Sequence, residues 1–481
     1  MFSATVSPYI LHDFFTKKEK EANEEKEVES VPASKIDQEN LETTQNENEK
    51  KIERKLLVSA KIVERMVNLN TFDDIARDFR FYEDPADEFK NPDGSLLPLW
   101  KFSYESETDL EVTYLMWSPN YVDLFAVSLG SFDFYAQPSA GYLCLFSLKN
   151  PSYPEYVCKA SSGVMCHDIH PSYAHIVVVG LYDGNVAVYN LKSESSSPSY
   201  MSSAQGGKHK DVVWQVKWVK DNLDGYLNFF SISGDGRVTN WTIVKTTLWH
   251  TDKLVLDFTK SLTNSDNLAG DLVEGPRCIA FKPDEENLFL VGTDEGSIYM
   301  ATTEYSTSFL MTYHSHKTPI NTVTWNPYYS PVFISCAAEY IVHVWHKDFS
   351  LPILRFDLGS QVGDIAWAPY SSTVFAAVTQ DGRVVVFDLS VNKYNPICNQ
   401  VTFPLLFFFI LILSFQKVIS FSQGILNQIA FNNSEPLLIV GDSKGVVHSV
   451  KLSPNLRKRT KEDILAQVIP ASTDKDGADG F

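Results

Sequence analysis

The chain has 481 residues, 44% hydrophobic and 13% aromatic with nine tryptophans, enough for a large core and too apolar for a wholly disordered protein. Its 41 lysines and arginines stand against 60 acidic residues, a formal charge of −19. Nucleic acid is therefore not expected as a partner, because phosphate binding needs a concentrated basic face.

Residues 1–50 read as a solvated, charged arm. Ser7-Pro8 can start a helix, with proline at its first position, that runs through YILHDFF into the charged stretch from Lys17 to Glu27. A partner-binding helix at Tyr9 to Phe15 and a disordered tail with local helicity are both open readings. Residues 28–50 are polar and aromatic-free, which favours disorder. No apolar leader occupies Met1 to Tyr9, so a cytosolic or cytoskeletal protein is expected.

Residues 51–96 form a predicted helical neck. Leu56, Leu57, Ala60, Val63 and Val67 recur at helical spacing, and Ile62 and Met66 widen the apolar stripe. Pro85 and Asn91-Pro92-Asp93-Gly94 then break regular structure.

From Leu97 the texture becomes short β-rich runs punctuated by turns, repeating every 35 to 60 residues or so. The unit is an apolar strand, commonly ending in aromatic-x-Pro, a strand of small residues, a tight polar turn, and a third strand ending in an aromatic. The copies open with VTYLMWSP (112–119), GVMCHDIHP (163–171), DVVWQVKW (211–218), RCIAFKP (277–283), INTVTWNP (320–327), VGDIAWAP (362–369) and LNQIAFNN (426–433). Seven copies of a unit that cannot bury both sheet faces alone predict an all-β, seven-bladed WD-repeat propeller over 97–456, followed by a disordered tail at 457–481. Leu99, Trp100 and Phe102 stand in a strand like those that precede later repeats. They are expected to close the ring as the outer strand of the last blade, removing a free edge.

In WD-repeat blades a loop histidine, a turn aspartate, a strand serine and a strand tryptophan form a buried hydrogen-bonded chain. The third repeat offers His209, Ser233, Asp235 and Trp241 for it; the fifth offers His316, Ser335 and Trp345, with Glu339 where aspartate is usual. Such a chain is structural, since satisfied buried polar groups rigidify a blade. Asp183-Gly184, Asp235-Gly236 and Asp381-Gly382 suit tight hairpins. Nothing points to catalysis or a cofactor: the chain contains no G-x-x-x-x-G-K-[ST] and no H-E-x-x-H. Cys166, His167 and His170 are close in sequence, but strand alternation and Pro171 account for them better than a metal does. All six cysteines (Cys144, Cys158, Cys166, Cys278, Cys336 and Cys398) lack a C-x-x-C partner and read as reduced thiols.

The runs LLPLWKF (96–102), DLFAVSLGSFDF (123–134), NPSYPEY (150–156), KHKDVVWQVKW, NFFSISGDGRVTNW, TVTWNPYYSPVF, VGDIAWAPYSSTVFAAVTQDG and KLSPNLRK (451–458) resemble axonemal outer-arm dynein intermediate chains, as does the neck AKIVERMVNLNTFDDIARDFRFYED. The resemblance covers most of residues 55–458. It implies a non-catalytic docking subunit at the base of the arm. The propeller would bind a dynein heavy chain, the arm would bind dynein light chains and a second dynein intermediate chain, and ATP hydrolysis would belong to the heavy chain. Members extend further at the N-terminus, which implies a shortened chain here. A WD-repeat scaffold or peptide reader of another complex, cytoplasmic dynein included, is the alternative.

The seventh repeat departs from the family at an apolar insertion, 401–423. Its core, FPLLFFFILILSF (403–415), is shorter than the roughly 20 residues of a bilayer span, so no membrane association is expected. Val401 to Gln416 reads as a translated short intron: a GT donor gives valine, a pyrimidine-rich tract gives Phe, Leu, Ile and Ser, and a terminal TTTCAG gives Phe-Gln. Sequencing the mature transcript across this junction decides between that origin and a genuine buried strand or membrane-contacting loop.

Overall fold

The computed structural model describes residues 93–457, except 105–109, 194–195, 204–205, 221–224, 246, 256–274, 286, 304–308, 315 and 402–424. It also describes residues 55–57, 59–60, 63–64 and 66–67. The readings made for 1–50, for the apolar run and for the C-terminal tail lie outside the described residues.

The chain divides into two units, Met1–Val67 and Asn68–Phe481. In the first, the described residues are helical, and Leu56, Leu57, Val63, Met66 and Val67 of the predicted stripe are exposed.

The second unit contains seven antiparallel four-stranded sheets among the described residues. In blades 1 to 6 the four strands are consecutive in sequence and run outward from the centre. They span Glu111 to Ala160, Val164 to Met201, Val213 to Val255, Pro276 to His314, Ile320 to Asp357 and Val362 to Val401. Blade 7 draws three strands from the C-terminal end, Leu426–Phe431, Leu437–Asp442 and Val446–Leu452, and its outer strand, Leu96–Ser103, from over 300 residues earlier. Leu96 pairs with Leu452 and Phe102 with Val447. The register shifts between Pro98 and Lys101, so Leu99 and Trp100 sit at an irregularity and pack on the blade 7–blade 1 core.

The second strand of each blade explains the runs of unbroken apolar character. Val332–Ala337, Val374–Thr379 and Leu437–Asp442 are buried at every position. A strand covered on both faces has no solvated side to alternate with. What covers it is the next blade: seven apolar clusters fill the seven junctions between neighbours. Val178, Val188, Phe229 and Trp241 join blades 2 and 3, for example, and Phe356, Phe375 and Phe387 join blades 5 and 6.

The tryptophans that end four of the inner strands also act between blades. The indole N–H groups of Trp117, Trp218, Trp325 and Trp367 donate to the carbonyls of Ala430, Asp168, Ala280 and Thr324, each on the inner strand of the preceding blade. Four junctions thus carry a directional bond worth about 1 kcal/mol each in addition to apolar burial.

Phe102 is fully buried against Phe125 at 4.9 Å and Phe146 at 5.6 Å between ring centroids, so the closing strand is fastened to blade 1 as well as blade 7. Phe102→Ala is expected to lower unfolding stability by about 3–5 kcal/mol, because it leaves a cavity where the ring joins. Urea denaturation of the purified chain measures this, and a loss below about 1 kcal/mol contradicts closure through this residue.

Candidate functional site

Blade 3 builds its polar chain from four segments: the loop before its inner strand, its second strand, the turn that follows it and its third strand. His209 Nε2 lies 2.6 Å from Ser231 Oγ, Trp241 Nε1 lies 2.7 Å from the same oxygen, and His209 Nδ1 lies 3.3 Å from both oxygens of Asp235. An indole N–H can only donate and a carboxylate can only accept, so with a neutral imidazole the proton order is Trp241 to Ser231, Ser231 to His209, His209 to Asp235. The serine in this chain is Ser231, not the expected Ser233. Ser233 Oγ instead donates to the Asp211 carbonyl at 2.9 Å and accepts from the Asp235 N–H. Both serines stand on the same face of one strand, two residues apart, so alternation cannot separate them. The ten-residue step to the tryptophan does, since Ser335 and Trp345 in blade 5 have the same step.

In blade 5, His316 Nε2 is 2.7 Å from Ser335 Oγ, which accepts from Trp345 Nε1 at 2.8 Å. His316 Nδ1 is 2.6 Å from Glu339 Oε1, so the longer glutamate occupies the aspartate's place in the chain.

Burial alone would raise the Asp235 carboxyl. Hydrogen bonds from His209, the Lys210 N–H and Arg237 outweigh it and hold the group well below the usual carboxylate range. Burial pushes the His316 imidazole down to about 4, helped by Arg355, which suits its neutral role as both donor and acceptor.

The inner strands of all seven blades line a central channel of about 910 Å³. Lys217 Nζ donates to the Tyr114 hydroxyl at 3.1 Å and lies 4.0 Å from Asp168. Asp364, fully buried in blade 6, accepts from Thr322 Oγ1 of blade 5 at 2.7 Å and from the Ile429 N–H of blade 7 at 3.0 Å. One carboxylate therefore ties three blades together. Burial pushes it up to about 6 despite those donors. This junction residue was missed by sequence reasoning, because a lone aspartate in VGDIAW shows no partner along the chain.

The same geometry disposes of the chemical candidates. Burial pushes the Cys158 and Cys278 thiols up to about 11 and about 12, so neither is a nucleophile at neutral pH. All six cysteines are buried and unbridged. Cys166 Sγ donates to the Val213 carbonyl, His167 Nδ1 faces Ser128 Oγ at 2.6 Å, and His170 Nδ1 accepts from the Ser172 and Tyr173 N–H groups. Those side chains do not converge, and among the described residues no three metal-capable groups do.

His343 stands apart. It stacks on His316 at 4.4 Å and meets Trp345 edge-on, yet neither ring nitrogen has a hydrogen-bond partner among the described residues. Burial, then the neighbouring His316, lowers its pKa from 6.5 to about 3. A depressed folded value means that this contribution to stability is present above pH 6.5 and is lost as the pH falls towards 3. Asp364, with its raised value, acts in the opposite sense and favours the folded state less as the pH rises through 6.

Relatives share this sequence over most of its length. The chain is 44% identical over 471 residues to dynein intermediate chain 2, ciliary, of Heliocidaris crassispina, covering 96% of this chain and 64% of that protein. It is 47% identical over 411 residues to dynein axonemal intermediate chain 1 of Bos taurus, covering 85% of this chain and 56% of the relative. Against the 78 kDa intermediate chain of the flagellar outer arm dynein of Chlamydomonas reinhardtii, identity is 39% over 416 residues, with 85% and 58% covered. The chain thus spans about three fifths of the length of these relatives. No family model matches it.

His343→Phe keeps the ring stack and removes two unpaired buried nitrogens. It is expected to raise unfolding stability at pH 7 by about 1 kcal/mol and to shrink the loss of stability between pH 6.5 and 4. Urea titrations at several pH values test this, and a variant as acid-sensitive as the parent contradicts the assignment.

Proposed function

We propose that this chain, which belongs to the axonemal dynein intermediate-chain family, is a non-catalytic subunit of the outer dynein arm of cilia or flagella. The observation that carries this reading is its 44% identity to a ciliary intermediate chain across 96% of its length. That span includes most residues outside the propeller as well as those within it.

The physical character of the ring supports a scaffold. Most of its buried histidines, serines and carboxylates bond to one another and to neighbouring blades, and its buried thiols are protonated. A stiff ring whose polar groups serve its own structure presents fixed surfaces and performs no chemistry. In this reading the propeller holds the tail of a dynein heavy chain, while the N-terminal arm meets light chains and a second intermediate chain. The heavy chain hydrolyses ATP. The chain is assembled into arms in the cytoplasm and works on the axonemal microtubule, with no cofactor, nucleic acid or membrane in its role.

Affinity purification of the tagged chain from ciliated cells tests this directly. Axonemal heavy and light chains are expected in the eluate at near-stoichiometric amounts. Recovery without any dynein heavy or light chain contradicts the proposal, and recovery with cytoplasmic dynein alone moves it to the other branch of the motor family.

A further inference from the structure

The turn between the second and third strands is short in six blades: 182–185, 234–236, 294–296, 338–340, 380–382 and 443–445. In blade 1 it runs from 131 to 140, and it holds Phe132, Phe134 and Tyr135 at 41%, 73% and 94% exposure. The loop is built to hold them there. Ser131 Oγ accepts from the Asp133 N–H at 3.1 Å, and Asp133 Oδ1 accepts from the Tyr135 N–H at 2.9 Å. Gln137 Nε2 donates to the Ser131 and Asp133 carbonyls at 3.0 and 2.6 Å. Phe134 and Tyr135 pack edge to face at 5.4 Å. A loop that orders three aromatic rings in water has already met the entropic cost of presenting them, as binding surfaces do and scattered surface residues do not.

The rings stand beside an acidic mouth. Phe132 lines the channel together with Glu111, Trp214 and Arg277. Arg277 is already engaged, stacked on Trp214 at 4.4 Å and paired with Asp294 at 3.0 Å. Asp133 and Asp211 add to the charge. Burial, and then Asp211 and Asp133, raise the Tyr182 hydroxyl; Asp133 likewise helps raise Glu111, and Asp211 helps raise Asp294.

We propose that this end of the ring docks a cationic, apolar segment of a protein partner. Its aliphatic side chains lie on Phe134 and Tyr135, and an arginine or lysine enters the mouth between Asp133 and Asp211. Charge complementarity selects this occupant over a second copy of the chain, because a charge of −19 opposes self-association through an acidic face.

The test uses the purified full chain and a short fluorescent peptide of alternating leucine and arginine, with its citrulline counterpart as the neutral probe. The arginine peptide is expected to bind about tenfold tighter than the neutral one, and less so at high salt. Phe134→Ala with Tyr135→Ala, and separately Asp133→Asn with Asp211→Asn, are each expected to weaken it about tenfold at unchanged melting temperature. The asparagine at 133 keeps the oxygen that caps the loop. Asp284→Asn with Glu435→Gln removes equal charge from loops at the opposite end of the strands and is expected to leave binding unchanged. Equal binding of the two peptides, equal effects of the two charge-removing pairs, or a dimer in sedimentation that Phe134→Ala dissolves would each overturn the proposal. No dynein subunit enters this experiment, so its outcome is separate from that of the arm-subunit reading.

Discussion

Every blade of this ring is buried on its two faces only by its neighbours, and the structure depends on that constraint. A single four-stranded sheet with Val374–Thr379 or Leu437–Asp442 at its centre has a second strand buried at every position and nothing of its own to cover it. The seven apolar clusters therefore lie between blades, and a ring of seven junctions has no dispensable one. Closure falls to Leu96–Ser103, which arrives from the far end of the domain, pairs with Val446–Leu452 and places Phe102 in the core shared with blade 1. Without that strand, blade 7 would present an unpaired edge and the blade 7–blade 1 cluster would lose the fully buried Phe102 ring.

Polar contacts refine this apolar frame in two directions. Within blades 3 and 5, the tryptophan–serine–histidine–carboxylate chains tie the entering loop to the second and third strands, with the proton order set by which groups can only donate or only accept. Between blades, the indole bonds of Trp117, Trp218, Trp325 and Trp367 and the Asp364 carboxylate lock one inner strand to the next. The ionisable members are tuned against each other. Neutral buried histidines favour the fold at neutral pH, while the raised Asp364 favours it more strongly at lower pH. The ring's chemistry is thus spent on rigidity, which fits a platform rather than a catalyst.

Much of this was legible in the sequence, for identifiable reasons. The period of the repeats, the aromatic-x-Pro endings and the Asp-Gly turns are local, so they fixed the blade count and the turn positions. The closing strand was legible because LWKF resembles the outer strands of other blades. The serine of blade 3 was not, because Ser231 and Ser233 share a strand face and only the step to Trp241 distinguishes them. Asp364 was not, because both of its inter-blade partners lie on other blades. The long turn of blade 1 was visible as SFDFYAQPSA, yet its exposed rings became meaningful only once the channel mouth and its carboxylates stood beside them.

The role proposed for this closed ring, a scaffold in the outer arm, makes its fold and its function inseparable. Electron cryo-tomography of cilia lacking the chain, then rescued at matched protein levels, tests that link most directly. Rescue with the full chain is expected to restore outer-arm density along the doublets, whereas a chain lacking the closing segment 93–104 is expected to leave the arms absent. Restored outer arms without the closing strand would contradict the account.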